Sequence, residues 1–468
     1  MTTPEFLSAT EQAALVRAKE LSPVELLEIY LARIEKLDPE LNAFVTVIAD
    51  EALADAARKE QEVSAGGELP PFHGVPIPIK ELDDVEGVRT TYSSRSYEDH
   101  VPVADAATVT SLRAAGFVIV GKSNAPEFGT IPMTESDLNG VCRNPWDVTR
   151  TPGGSSGGAG AAVASGMAPV AHGSDGGGSI RIPASCCGLF GLKPSRGRVS
   201  QAPGGESWAG FSTQGALTRT VRDSAAILDV LAGYRTGDPY WAPPPERPFA
   251  EEVGAEVGSL RVGFTTKAPI DSLVEPDCIA ATQGAAALLA ELGHVVEEVE
   301  PDWDDPELTP MFINVVQTTS AYYRDVDLDK IEPLNRMLAE VAMATSSLDY
   351  IRALEGLKAL ARRVVALWDD YDVILTPTLA MVPPKIGWIR EQEDPFMQLA
   401  FAGAMIPFTP GPNITGQPAA SLPLHWTDDG LPVGVQLIGP PAGDALLLRL
   451  SAQLEAANPW ADRRPPLS

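Results

Sequence analysis

Apolar and polar positions follow two patterns along this chain, and each pattern predicts a different kind of element. Apolar residues that recur every three or four positions predict amphipathic helices over Thr220–Leu231 and Cys278–Leu292. Short continuous apolar runs are typical of strands that are buried on both faces. Such runs occupy Val75–Ile79, Phe117–Val120, Leu260–Phe264, Val373–Leu375 and Val433–Ile438. The alternation of strands and helices favours an α/β fold, with a β-sheet covered by helices on both faces.

Two capping boxes mark the starts of helices near the N-terminus. Ser8 is followed three residues later by Glu11, and Ser22 is followed by Glu25. A proline follows Ser22 directly, at the first helical position, where its missing N–H costs nothing. Apolar residues at helical spacing then continue to Pro39, which predicts that the second helix ends there.

The longest weakly polar run covers residues 157–172 and is rich in Gly and Ala. Ser165 and Pro169 interrupt it, so the run predicts a buried helix followed by a strand rather than a membrane span. The N-terminal segment lacks a basic stretch followed by an apolar core, which argues against a signal peptide. We therefore expect a cytoplasmic protein without a membrane partner.

Composition and charge narrow the class of protein. The chain has 468 residues, of which 44% are apolar and 21% are charged, as in an ordinary globular protein. Its length allows about three domains, but no linker divides it, so we expect one domain over 1–468. The formal net charge of −28 argues against a nucleic-acid partner.

The four cysteines and five histidines show no metal-binding spacing. Neither H-E-x-x-H nor a CxxC pair is present, so we expect no metal. The adjacent Cys186 and Cys187 are expected to pack as small buried apolar residues. A reduced compartment suits these free thiols, since a protein of this size needs no disulfide for stability.

Two glycine-rich segments carry the candidate chemistry. Gly153–Gly158 contains Ser155 and Ser156 and matches G-x-S-x-G, the nucleophile turn of α/β-hydrolases. That fold needs a histidine downstream, and only His172, His294 and His425 follow. The last two lie in predicted turns, where a surface histidine is the simpler interpretation. No Gly-Lys-Ser/Thr follows the glycines, which argues against a phosphate-binding loop. A Ser-His-Asp esterase stays open, and another base is the alternative.

Several long motifs, in order, resemble the amidase signature family. They are Gly74–Lys80, Gly121–Gly129, Gly153–Gly158, Gly173–Ala184, Gly188–Pro194 and Leu217–Asp223. The signature core spans about 72–235, with N-terminal helices over about 8–60 and a C-terminal sheet and helix part over about 371–455. The resemblance implies one large domain built on a mixed, mostly central sheet.

This resemblance also implies a Ser–cis-Ser–Lys triad. Ser179 matches the nucleophile, Ser155 the bridging serine after a cis peptide bond, and Lys80 the general base. By the same resemblance, amides of Gly176, Gly177, Gly178 and Ser179 form the oxyanion hole, and Ser156, Asp175 and Arg181 form a supporting polar network. A lysine serves as a base only if burial lowers its pKa toward about 7–8.

Each of these residues also has a purely structural interpretation. Lys80 could close a surface strand, and Ser155 and Ser156 could cap the helix that follows them. The pair of Asp175 and Arg181 could stabilise the fold alone. Asn124, in Gly121–Gly129, is more simply explained as a turn former than as a substrate ligand.

The resemblance implies a hydrolase without metal or cofactor that cleaves carboxamide C–N bonds through an acyl-enzyme. Its substrate is a small amide, and relatives also accept esters and carbamates. Gly233–Trp241 is similar to segments of bacterial amidases that act on linear and cyclic oligoamides. The segments expected to shape the pocket, about 200–210, 310–325 and 385–415, carry no recognisable motif, and a homodimer stays open.

Two other functions remain as alternatives. One is the glutamine-hydrolysing subunit of a tRNA-dependent amidotransferase, and the other is a binding protein without activity. Ile182 stands where such ammonia-supplying subunits usually have glutamine, which favours a free-standing hydrolase. Intact residues at all three triad positions argue against a protein without activity.

Overall fold

The structure is a computed structural model that describes residues 3–468. Helices cover much of this part of the chain. Their bounds are α1 (Ala9–Arg17), α2 (Pro23–Leu41), α3 (Ala49–Ala65), α4 (Ala107–Ala114), α5 (Gly157–Ala164), α6 (Arg181–Cys187), α7 (Val221–Leu231), α8 (Pro276–Glu291), α9 (Leu308–Val316), α10 (Thr318–Tyr322), α11 (Pro333–Ala344), α12 (Ser347–Val365), α13 (Pro395–Met405), α14 (Pro410–Thr415) and α15 (Asp444–Ala457). None of these helices combines the length and the apolar composition needed to cross a bilayer.

The strands of the described residues form three sheets. Their bounds are β1 (Phe44–Val47), β2 (Pro76–Lys80), β3 (Val118–Ser123), β4 (Glu135–Ser136), β5 (Gly140–Val141), β6 (Val170–Asp175), β7 (Phe190–Lys193), β8 (Thr213–Thr218), β9 (Arg261–Phe264), β10 (Val295–Glu298), β11 (Val373–Pro377), β12 (Ala419–Trp426) and β13 (Pro432–Ile438). The largest sheet has eight strands in the order β10-β9-β11-β13-β12-β7-β8-β6. A second sheet has the order β1-β3-β2, and β4 pairs with β5.

The eight-stranded sheet is mixed. Strands β10, β9 and β11 pair in parallel, and every other neighbouring pair in this sheet is antiparallel. Alternate residues of β13 face opposite sides, as the twofold period of a strand requires. Val433, Val435 and Leu437 join the large apolar core with helices α7, α8 and α15. Gly434 and Gln436 face α6, through Ser185 and Arg181. Helices therefore cover both faces of this sheet, as predicted.

Both predicted capping boxes form in the structure. The hydroxyl of Ser8 accepts from the amide of Glu11, and that of Ser22 accepts from the amide of Glu25. Helix α2 continues past Pro39 to Leu41, two residues beyond its predicted end. Proline is tolerated there because only one intrahelical hydrogen bond is lost in the last turn.

The predicted strands and buried helices are present, with ends that shift by a few residues. The run over 157–172 forms helix α5 and the start of β6, as expected. Cys186 and Cys187 are fully buried in α6, also as expected. Strands β7, β8 and β12 had not been predicted. Each pairs on both sides within the large sheet, so its neighbours rather than an apolar run decide its conformation.

One prediction about a histidine is wrong. His294 was expected at the surface, but it is buried between α8 and β10. Its Nδ1 accepts from the amide of Leu260 at 3.1 Å, and its Nε2 lies 2.9 Å from Oε1 of Gln453. The turn itself was correctly predicted, and the two hydrogen bonds explain why the ring is held inside. His425 is half-buried and lies near the turn between β12 and β13.

The two larger sheets meet where β2 packs against β6. Strand β2 ends at Lys80, and β6 ends at Asp175, next to the glycines of residues 176–178. The N-terminus of α5, which follows Ser155 and Ser156, reaches the same place, since α5 contacts both β2 and β6. Three separate parts of the chain thus bring their polar residues to one point.

Candidate active site

Lys80 is one of three fully buried charged residues of this site, with Asp175 and Arg181. It ends β2, and its side chain is completely buried. Its Nζ lies 2.8 Å from Oγ of Ser155 and 2.9 Å from Oγ of Ser174. Burial lowers the pKa of Lys80 from 10.5 to about 7, although the carboxylates of Asp83 and Asp175 oppose that shift. A large fraction of Lys80 is therefore neutral at neutral pH, and a neutral amine can accept a proton.

Ser155 and Ser156 lie at the start of α5. The peptide bond between Gly154 and Ser155 is cis. Ser156 occupies the N-cap position of α5, but its side chain makes no capping hydrogen bond. Its hydroxyl instead donates to the carbonyl of Ser174 at 3.3 Å. Capping alone therefore does not explain the two serines.

Ser179 lies beside this pair, is half-buried and lines a cleft. Its carbonyl accepts from the amide of Ser156 at 3.2 Å, which ties the two glycine-rich segments together. Among the described residues, no hydrogen bond joins Oγ of Ser179 to Oγ of Ser155. Catalytic hydrogen bonds are often long without substrate and shorten in the reacting complex. The structure thus joins Lys80 to Ser155 directly and brings Ser179 next to them through its backbone.

The glycine segment before Ser179 presents backbone amides to the cleft. In the described part of the chain, the amides of Gly176, Gly177 and Ser179 have no hydrogen-bond partner. The amide of Gly178 is different, because it donates to Oδ1 of Asp175 at 2.8 Å. The expectation that all four amides are free for an oxyanion is therefore corrected: the Gly178 amide is engaged in holding Asp175.

Thr409 fixes the shape of this segment from outside. Its hydroxyl donates to the carbonyl of Gly177 at 2.7 Å. Gly178 has a φ of +125°, and a Cβ there would lie 2.4 Å from Oγ1 of Thr409. Only glycine suits this position, because both the backbone angle and the close approach exclude a side chain.

Asp175 and Arg181 form a buried, bidentate ion pair. Nη2 of Arg181 lies 2.8 Å from Oδ1 of Asp175, and Nε lies 3.0 Å from Oδ2. Burial alone would raise the pKa of Asp175, but the Arg181 guanidinium and nearby donors hold it at about 2. The carboxylate also accepts from the side chain of Asn413 at 2.9 Å. Asp175 is thus charged, and it orients the glycine segment through the Gly178 amide.

Sequence reasoning missed four residues of this site. Ser174 contacts Lys80, and Thr409 holds the glycine segment. Asn413 and Gln436 accept from Arg181, each at 2.6 Å. Ser174 lies within the motif Gly173–Ala184, so the sequence offered a signal for it. Thr409 and Asn413 lie more than 200 residues along the chain from the glycines, in a segment without a motif.

A cleft of about 1440 Å³, counted with its open mouth, is lined by Ser179. Its walls are almost entirely apolar. Among its larger side chains are Trp208, Trp303, Phe312, Trp368, Leu399 and Ile406. Within residues 3–468, no Asp, Glu, Lys or Arg lines it. Each of the three segments without a motif, 200–210, 310–325 and 385–415, contributes to the walls.

Asn124 lies near α5 but not in the cleft. It is fully buried, and its side-chain amide donates to the carbonyl of Asn42 at 2.9 Å. Its position agrees with a structural role rather than with contact to a substrate.

Comparison with known proteins identifies relatives over nearly the whole chain. A family model described as Amidase matches residues 25–448. The 6-aminohexanoate-cyclic-dimer hydrolase of Pseudomonas sp. is 39% identical over 486 residues, which cover 98% of this chain and 96% of that enzyme. The acylamidase of Rhodococcus erythropolis is 35% identical over 474 residues, which cover 98% of this chain and 97% of that one.

The fold has a close counterpart among solved structures. The structure of a 6-aminohexanoate cyclic dimer hydrolase complexed with substrate matches with a TM-score of 0.93 at 37% sequence identity. The match covers 99% of this chain and 100% of that one. It confirms the predicted α/β fold, and together the comparisons confirm the resemblance that the motifs indicated.

Proposed function

This chain belongs to the amidase signature family, and we propose that it hydrolyses neutral, largely apolar carboxamides with Ser179 as nucleophile. Members of the family cleave amides, and the chain is an amidase in this sense. The observation that carries the finer proposal is the placement of a buried lysine with a depressed pKa against Ser155, next to a second serine, Ser179, that lines an apolar cleft.

The proposed proton relay runs from Ser179 through Ser155 to Lys80. Neutral Lys80 accepts the hydroxyl proton of Ser155, while Ser155 accepts that of Ser179, whose oxygen forms a bond to the substrate carbonyl carbon. The relay then runs backwards, and Ser179 Oγ stays bonded to the acyl group while the C–N bond breaks and the amine leaves with the proton. A water molecule, deprotonated by the same relay, then releases the acyl group as a carboxylic acid.

Backbone amides stabilise the charged intermediate in this proposal. The amides of Gly176, Gly177 and Ser179 are the unengaged donors next to the nucleophile. One such donor contributes about 3 kcal/mol to the stability of the transition state. Asp175, Arg181 and Thr409 act by holding the segment in shape, since each contacts its backbone or its anchor rather than the cleft.

The chemistry of the cleft supports a substrate without charges. A free amino acid such as glutamine would bring its ammonium and carboxylate into a space lined by no charged residue among those described. Burying unpaired charges is costly, so the cleft does not favour glutamine. A cyclic oligoamide or an N-acyl amide carries no formal charge, and the related hydrolase and acylamidase are named for such substrates. Esters and carbamates of similar shape fit the same chemistry.

The first test is a substrate panel on the purified protein alone. It contains aliphatic and aryl amides, a cyclic oligoamide, an ester, a carbamate and glutamine, each with the wild type and with the Ser179→Ala variant. The proposal expects Ser179-dependent release of amine from the uncharged amides. Activity on glutamine only, after a partner protein is added, would overturn it in favour of an amidotransferase subunit.

A further inference from the structure

Two aromatic side chains lie directly against the glycine segment that precedes the nucleophile. A Cβ added to Gly176 would lie 3.1 Å from Cε3 and Cζ3 of Trp208. A Cβ added to Gly177 would lie 3.7 Å from Cζ of Phe312. Both rings also line the cleft, together with Ser179. The space beside the site of attack is therefore bounded by two flat, rigid walls.

The backbone that carries Trp208 adopts an uncommon conformation. Trp208 and Ala209 have φ values of +52° and +53°, and Gly210 follows at +77°. Such angles are rare for residues with a Cβ, and they persist only where surrounding contacts hold them. Two contacts on the C-terminal side do so, since Arg196 donates to the carbonyl of Gly210 and Asn413 to that of Phe211.

Asn413 connects this loop to the site. Its side-chain amide donates to the carbonyl of Phe211 at 3.0 Å and also to Asp175, the residue that anchors the glycine segment. The loop that carries Trp208 and the glycine segment are thus held by the same side chain. The contact between the indole and Gly176 depends on this shared anchor rather than on a free loop.

We propose that Trp208 is a specificity-determining residue that limits the width of the substrate next to the scissile carbonyl. The inference rests on the proposed function, because it concerns the same nucleophile and cleft. An amide flanked by unbranched methylene carbons fits along the side of the indole that faces the cleft beside Ser179. An amide with a branched carbon next to the carbonyl or the nitrogen collides with the ring.

This assignment names a substrate class. Amides of ω-amino acids have methylene groups on both sides of the C–N bond, whereas ordinary peptide bonds are flanked by branched α-carbons. The protein therefore favours linear-chain amides and cyclic oligoamides of ω-amino acids over peptides. The absence of charged residues from the described walls of the cleft acts in the same direction, because it disfavours free peptide termini.

The test compares isomeric substrates that differ only in branching. The butyl amides of pentanoic and pivalic acid probe the acyl side, and the butyl and tert-butyl amides of hexanoic acid probe the amine side. In the wild type, kcat/KM favours the straight isomer in at least one pair. In Trp208→Ala, that preference should fall by about tenfold or more, the range that pocket contacts of this size provide. Trp208→Phe should give an intermediate ratio.

Trp241→Ala is the matched control. Trp241 is 69% exposed and lies outside the cleft, so its removal should leave the ratio unchanged. Thermal unfolding of each variant checks that the fold is intact. An unchanged straight-to-branched ratio in folded Trp208→Ala overturns the inference, and so does an equal change in Trp241→Ala.

A double-mutant cycle tests the contact itself. Gly176→Ala should lower kcat/KM in the wild type, because the new methyl group meets the indole. The same change should cost clearly less in Trp208→Ala, where the ring is absent, whereas equal costs in both backgrounds contradict the contact. Ser179→Ala in the same assays separates the two proposals. Retained turnover in Ser179→Ala rejects Ser179 as the nucleophile. Lost turnover in Ser179→Ala, together with an unchanged straight-to-branched ratio in Trp208→Ala, rejects only the role of Trp208.

Discussion

The two sides of Ser179 differ in almost every physical respect. Behind it lie the buried Lys80, Ser155 and the pair of Asp175 and Arg181, whose charged or polar atoms contact one another at hydrogen-bond distances. In front of it lies a cleft with apolar walls and, among the described residues, no charged side chain. The first side can hold and move a proton, and the second can only select shape and polarity. This division separates how the protein cleaves a bond from which bond it cleaves.

The buried side also explains why a lysine can act as a base here. A lysine at an exposed strand end keeps a pKa near 10.4 and cannot act as a base at neutral pH. Packing around β2 leaves the side chain of Lys80 completely buried, and this burial lowers its pKa. The base therefore depends on the packed interior behind Ser179, whereas the cleft is lined by Ser179 and not by Lys80.

Removing the nucleophile should have the largest effect. We expect Ser179→Ala to lower kcat by a factor on the order of 10⁴ or more, because no other group can form the acyl-enzyme. Steady-state kinetics with an uncharged anilide measure this loss. Ser259→Ala, at an exposed serine far from the cleft, is the control and should retain wild-type turnover. Turnover of Ser179→Ala close to the wild type would end the proposed mechanism.

A comparison of two buried lysines tests the relay. Lys80 and Lys193 are both buried, and burial lowers the pKa of each to about 7. Lys80 contacts two serine hydroxyls, whereas Lys193 donates to the carbonyl of Pro194. Lys80→Met should therefore lose nearly as much turnover as Ser179→Ala, since a relay acts as a unit.

Lys193→Met serves as the matched variant. It should retain turnover within about tenfold of the wild type, because it removes no contact to the reacting groups. Equal losses in both lysine variants would mean that burial of a cation, rather than its contact with the serines, decides activity.

Breaking the ion pair behind the site should affect stability more than any change in the cleft. Arg181→Met leaves the carboxylate of Asp175 buried without its cation, and such a loss costs about 3–5 kcal/mol. Urea unfolding measures the change in free energy. Lys358→Met is the control, because both side chains of its pair with Glu355 are exposed and such pairs contribute at most about 1 kcal/mol. Similar losses of unfolding free energy in the two variants would contradict the larger contribution of the buried pair to stability.

The pH dependence of the rate should show the smallest but most specific effect. The active form of Lys80 is neutral, and its pKa is about 7. Below that value kcat/KM should fall about tenfold per pH unit, and above it the rate should reach a plateau. Protonated Lys80 cannot accept a proton, so the enzyme is inactive below the pKa. Because burial lowers that pKa to about 7, the active neutral form is present at neutral pH. A rate that stays flat from pH 5 to pH 9 would contradict a lysine base.

Motif residues made one region of the protein predictable. Lys80, Ser155 and Ser179 were assigned because the motifs that contain them resemble those of the amidase signature family, and the structure brings them to one point. Thr409 and Asn413 were not assigned from the sequence, although they hold the glycine segment before Ser179. Thr409 precedes helix α14 and Asn413 lies within it, and nothing in their local sequence distinguishes these two residues from other threonines and asparagines.

The walls of the cleft show more clearly what could not be predicted from the sequence. The segments around Trp208 and Phe312 were expected to shape the pocket, but their contacts with Gly176 and Gly177 could not be inferred. His294 shows the same limit, because the predicted turn was correct and the burial of the ring was not. Burial depends on which distant element packs over a residue.

The sequence by itself determined the α/β class and the capped N-terminal helices, and its resemblance to a known family indicated the candidate reacting groups. The class and the caps depend on local patterns, since periodicity and capping act within a few residues of each position. Only the tertiary structure decided that Lys80 is enclosed, that the Gly178 amide is occupied by Asp175, and that Trp208 bounds the cleft. Those features are contacts between residues far apart in the chain, and the depressed pKa of Lys80 exists only when such contacts exclude water from it.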